Sequence, residues 1–77
     1  MGIPRVEDVA DIVRLYAEFC GRHQPKDART AITAIRDSIR HETSCAEKGE
    51  IRVSRDVLRE LRSDRARIGR IAKRYNV

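Results

Sequence analysis

The chain has 77 residues, 40% apolar and 38% charged, with one Phe, two Tyr, no Trp and a net charge of +5. A chain of this size hides only about 60–65% of its unfolded surface on folding, which limits 1–77 to a single domain of marginal stability. The core has to come from Ile, Val, Leu and Ala, and a homodimer that covers a second apolar face would add to it. No continuous apolar run is present, and Met1 to Arg5 is followed at once by Glu7, Asp8 and Asp11. A secretory signal and a membrane span are therefore excluded, and a cytoplasmic setting with free Cys20 and Cys45 is expected.

Apolar residues fall at helical spacing along the chain, so the expected class is all-α: a small bundle of three helices, or four if the last segment divides. In the first segment Val6, Val9, Val13, Tyr16 and Cys20 recur at steps of three and four, and Ala10, Ile12, Ala17 and Phe19 widen the stripe. Pro4 suits a helix start, Glu7 and Asp8 complement the positive end of the dipole, and Gly21 suits a left-handed cap; the prediction is a helix over 5–20.

The second segment opens on Pro25 and Asp27 and places Ala28, Ala31, Ile32, Ile35 and Ile39 on one face, with Gly49 beyond its polar tail. This predicts a helix over 26–46. Ile51, Arg52 and Val53 are too few for a useful strand and read as a connector. Ser54 then forms an N-cap with Asp56 in the first turn, and Val57, Leu61, Ile68, Ile71, Ala72 and Tyr75 share one face of a helix over 54–75. Asp64 is the polar position on that seam, which leaves two readings open: one long helix, or two that break at Arg62, Ser63 and Asp64.

Charge is distributed unevenly. Residues 51–77 hold nine bases (Arg52, Arg55, Arg59, Arg62, Arg65, Arg67, Arg70, Lys73, Arg74) against three acids, whereas residues 1–50 hold eight bases and nine acids. At about 100° per residue, Arg55, Arg59, Arg62, Arg70 and Lys73 lie opposite the apolar seam, with Arg67 and Arg74 on its flank. Arginine suits bidentate phosphate contact. If about six phosphates were neutralised, duplex affinity would fall with salt at a log–log slope of about −5. Outer-face charges are also ordinarily just solvated, Asp56, Glu60 and Asp64 weaken the field, and a basic amphipathic helix can instead bind an acidic protein surface. The missing Trp and single Phe disfavour a membrane surface.

The stretch Arg67-Ile-Gly-Arg-Ile-Ala-Lys-Arg-Tyr-Asn-Val77 resembles the first helix of a helix-turn-helix DNA-binding motif. The resemblance implies that Ala72 is the small residue allowing close helix packing, Asn76 takes the left-handed turn position, and Val77 is the buried turn residue. It also implies a preceding helix over 54–62. The motif's recognition helix would begin after Val77, so base reading is assigned to no residue here.

Cys20-x-x-His23 and His41-x-x-x-Cys45 have zinc-ligand spacing. If the first two helices formed an antiparallel hairpin, Cys20 and His23 would sit at the Pro25 end, roughly 24 Å from His41 at 1.5 Å rise per residue. That distance argues against a shared zinc ion within one molecule and against an intramolecular disulfide, and leaves a Cys20, His23, His41 and Cys45 site only to a kinked second helix or a two-fold dimer. No glycine-rich phosphate loop and no nucleophile–base arrangement is present, and so small a helical chain is expected to lack a pocket of about 300 Å³. Neither catalysis nor a cofactor is expected. The reading is a small regulatory or accessory protein of phage or plasmid type, binding nucleic acid, chiefly double-stranded DNA, through Arg55, Arg59, Arg62, Arg67, Arg70, Lys73 and Arg74. The alternative is a small inhibitor or adaptor that docks its basic helix on an acidic protein surface.

Overall fold

The computed structural model describes residues 5–21 and 25–77. These residues form three helices, α1 (Val6–Cys20), α2 (Ala28–Glu47) and α3 (Arg55–Arg74), and no strand. Among the described residues no helix is long and apolar enough to cross a membrane.

Local chemistry sets the helix ends. The Asp27 carboxylate accepts the Thr30 backbone N–H at 2.8 Å, so α2 starts at Ala28, two residues later than predicted. That bond holds the Asp27 carboxyl below the usual carboxylate range. Ser54 Oγ accepts the Val57 N–H at 3.2 Å and opens α3. The two long helices close in the same way. Gly49 (φ 77°) and Asn76 (φ 57°) take the left-handed conformation. Beyond them, the N–H groups of Glu50 and Val77 reach back to the carbonyls of Cys45 and Ala72, each at 2.9 Å. This is the Schellman closure, which satisfies carbonyls that a helix end would otherwise leave bare. Val77 completes it by packing against the core.

Between its caps α3 is unbroken. Asp64 is buried on the seam, where Arg67 one turn later lies 3.7 Å away, and it does not cap a second helix. The preceding helix implied for 54–62 is the first half of this same helix.

The direction of α1 differs from the hairpin expectation. Asp8 near its start meets Arg74 at the end of α3, while Phe19 near its finish shares a hollow with Val57 and Leu61 at the start of α3. Helix α2 is also antiparallel to α3, since Arg29 reaches the Asn76 carbonyl and Glu47 lies 3.5 Å from Arg62. Helices α1 and α2 therefore point the same way, and Cys20 lies beside Ser38 in mid-α2, with Sγ and Oγ 3.9 Å apart.

The core is aliphatic: Ile12 and Leu15 from α1, Ala31, Ile32, Ile35 and Ile39 from α2, and Ile68, Ile71 and Ala72 from α3. Tyr16, Phe19, Cys20, Tyr75 and Val77 pack around its edge. No valine is among the buried residues, contrary to the expected Ile, Val, Leu and Ala mixture. In α1 the predicted stripe is displaced: Val6, Val9 and Val13 are 85%, 47% and 64% exposed, and Asp8, Ile12 and Leu15 are buried instead. Longer side chains explain the choice, because Ile12, Leu15 and Phe19 remove more apolar surface from water than three valines do.

Candidate nucleic-acid interface

With α3 unbroken, its outward residues fall in register. Arg55, Arg59, Arg62, Ala66, Arg70 and Lys73 are all exposed and occupy a sector of about 80° at 3.6 residues per turn. They lie opposite buried Leu61, Asp64, Ile68, Ile71 and Ala72. Among the described residues no acidic side chain is within ion-pairing distance of Arg55, Arg59, Arg70 or Lys73. Arg62 faces Glu47 at 3.5 Å, but both side chains are well exposed and such pairs are weak in water.

The other two candidates on α3 are partly engaged. Arg67 is 3.7 Å from Asp64, a flank position that leaves over a third of its side chain accessible. Arg74 is committed to structure. Its Nε and Nη2 donate to Asp8 Oδ2 and Oδ1 at 2.9 and 2.5 Å, a bidentate pair joining the start of α1 to the end of α3. The hydrogen bonds from Arg74 hold the buried Asp8 carboxyl below its usual range, with the charges of Arg74 and Arg5 acting in the same direction. The same contact raises the Arg74 pKa. A phosphate at Arg74 would have to share the guanidinium with a carboxylate already in place.

Sequence periodicity missed what α2 contributes. Arg36 and Arg40, one turn apart on α2, line an open groove with Arg62, Arg65, Ala66 and Gly69 of α3, a hollow of about 380 Å³. No acidic side chain lines it. Arg36 is anchored there through Nη1, which donates to the Val77 carbonyl at 3.3 Å, while its Nε is buried without a partner among the described residues. A second hollow of about 370 Å³ is lined by Arg55, Leu58, Arg59 and Arg62. The expectation that no hollow reaches about 300 Å³ is thus wrong on volume. Both hollows are open grooves on a cationic surface. The signal that could have found the first is the spacing Arg29, Arg36, Arg40, seven and four residues apart on one side of α2; the near-neutral charge of residues 1–50 conceals it.

Among the described residues no group of three His, Cys, Asp or Glu side chains is placed to hold a metal ion. His23 lies outside the described residues. Cys45 Sγ is 3.7 Å from His41 Nε2. A hydrogen bond with Glu50 and burial nevertheless push the Cys45 thiol above its usual range, the reverse of what an activated nucleophile requires.

Comparison with known proteins yields no matching family model, no similar curated protein and no similar solved structure.

Proposed function

We propose that this three-helix bundle is a small regulatory or accessory protein that binds double-stranded nucleic acid through the outer face of basic helix α3. The carrying observation is the single exposed row of Arg55, Arg59, Arg62, Arg70 and Lys73 along one continuous helix, with Arg67 on its flank. Such a row presents cations at one- and two-turn intervals over about 27 Å at 1.5 Å rise per residue. That suits the regular charge of a phosphate backbone, where neutralisation releases counterions and drives binding. The contacts would position the protein on the duplex without reading sequence, since phosphates carry no base information. Arg74 is left out of the contact set because Asp8 holds it.

Charge reversal tests the proposal. Arg59→Glu, Arg70→Glu and Lys73→Glu together should abolish binding to random duplex DNA at low salt while helical content stays unchanged. The wild type should bind at about 50 mM salt and release by a few hundred millimolar. Wild-type protein that shifts neither DNA nor RNA at low salt would refute it, and binding instead to an acidic protein would favour an adaptor role.

A homodimer belongs to the same proposal. Val6, Val9 and Val13 follow each other at three and four residues on an uncovered face of α1, the spacing at which two helices mesh side chains.

A further inference from the structure

We infer that the groove between α2 and α3, walled by Arg36, Arg40, Arg62 and Arg65 over a floor of Ala66 and Gly69, seats consecutive phosphates of one nucleic-acid strand. This rests on the reading above that the partner is nucleic acid, and it extends the contact surface from α3 onto α2.

Three observations carry it. First, the fold brings four guanidinium groups from two helices to one hollow that no carboxylate lines, and of the four only Arg62 has an acidic partner among the described residues, the exposed Glu47 at 3.5 Å. Like charges gathered in this way repel one another unless an anion lies between them. Second, one wall is preorganised. The Val77 carbonyl holds the Arg36 guanidinium, so part of the ordering cost of binding is met before any ligand arrives. Third, the floor is kept low against local preference. Gly69 lies in mid-helix, where glycine is among the poorest helix formers, yet a Cβ added there would meet nothing within 4 Å. Neither packing nor backbone conformation requires a glycine. Its absent side chain, together with the short one of Ala66, lets a ligand backbone approach the helix closely.

The dimensions agree. From Arg62 to Gly69 the floor runs about 10 Å at 1.5 Å per residue. A duplex strand carries one phosphate per about 3.4 Å of axis, so about three phosphates span that length. Arg62 belongs both to this groove and to the outer row of α3, so a strand entering the groove continues onto the exposed face without a gap.

The test is fluorescence anisotropy of a labelled random 20-base-pair duplex titrated with the 77-residue chain at 50, 100 and 200 mM salt. Arg40→Gln with Arg65→Gln, both exposed positions, should weaken binding about tenfold or more at 50 mM and flatten the log–log salt slope by about 2, one contact each. Gly69→Gln should weaken binding severalfold while raising the melting temperature, a combination that loss of structure cannot produce. Arg14→Gln, on α1 between Asp11 and Glu18, should change neither slope nor affinity. Unchanged slope and affinity in the Arg40/Arg65 variant, with the wild type binding normally, would overturn the groove and leave the α3 reading standing. A wild type that binds no duplex would overturn both. Competition by poly-glutamate as strong as by unlabelled duplex at equal charge would reassign the groove to an acidic protein surface and overturn the phosphate assignment.

Discussion

Helices α1 and α3 are both amphipathic, yet only one of them advertises the face it buries. In α3 the outward sector is Arg55, Arg59, Arg62, Ala66, Arg70 and Lys73, and the large apolar side chains lie opposite. Turning that helix would bury several charges, so only one orientation is available. In α1 ten of the fifteen residues are apolar, spread around most of the circumference, and charge vetoes little. There the buried side is chosen by side-chain size and by one ion pair. Ile12, Leu15 and Phe19 pack inward, and Asp8, on the same row, is drawn in by Arg74. The inward row sits roughly a third of a turn from the valine stripe that periodicity selects. The lesson is that periodicity identifies a helix, whereas segregation of charge identifies its buried face.

The largest expected effect separates the two rows of α1. Leu15 is fully buried, so Leu15→Ala should cost about 3 kcal/mol by loss of burial and creation of a cavity. Val13 is 64% exposed, so Val13→Ala should stay within about 0.5 kcal/mol. Urea unfolding of both variants measures this directly. A larger cost at Val13 than at Leu15 would mean that the valine row, not the Ile12–Leu15 row, faces the core.

A smaller effect is expected at the pair that decides the orientation of α1. Asp8→Asn should cost about 1–2 kcal/mol near neutral pH, the range for a hydrogen bond to a charged group, moderated because the Arg74 side chain is 40% exposed. The pH dependence has a definite sign. The Asp8 carboxyl is held below its ordinary 3.8 in the folded chain, so the unfolded chain takes up the proton first. The pair's stabilisation is therefore complete above that ordinary value and is lost as pH falls through the lower folded one. Melting curves of wild type and Asp8→Asn from pH 7 to pH 2 should differ most at the neutral end and converge at the acid end. A constant gap would show that the pair contributes through shape alone.

The same contrast explains what could be read without coordinates. Ser54 acts through local chemistry as a hydroxyl cap and was legible as one, Gly49 was legible as the break after α2 though not as a left-handed closure, and the left-handed conformation of Asn76 was implied by the resemblance. The seam of α2 was legible because Ala31, Ile32, Ile35 and Ile39 follow one helical face. Whether α3 divides was not legible: Asp64 has the chemistry of a cap, and only the packing around it shows that it stays inside one helix. The candidate site divides similarly. The outer row of α3 follows from spacing, whereas its union with Arg36 and Arg40 requires knowing that α2 lies alongside. Arg74 shows a partner that spacing could not reveal, since a base on the flank of a cationic helix meets a carboxylate 66 residues away.

The smallest effect on the single chain is the most informative about its uncovered side. Val9→Asp with Val13→Asp changes two exposed positions, so helical content and urea midpoint should barely move when the chain is dilute. Association should respond strongly, because a carboxylate on the seam would lie against its symmetry mate in a two-fold pair. Sedimentation equilibrium at about 100 µM should give wild type a mass rising toward twice 8.9 kDa and the double variant a mass that stays at 8.9 kDa. A wild type that remains at the single-chain mass across the micromolar range would remove the dimer, and the valine row would then be an ordinary case of isolated apolar residues left in water. Either outcome leaves the Leu15 comparison intact, because the inward row is set within one chain and the outward row only between chains.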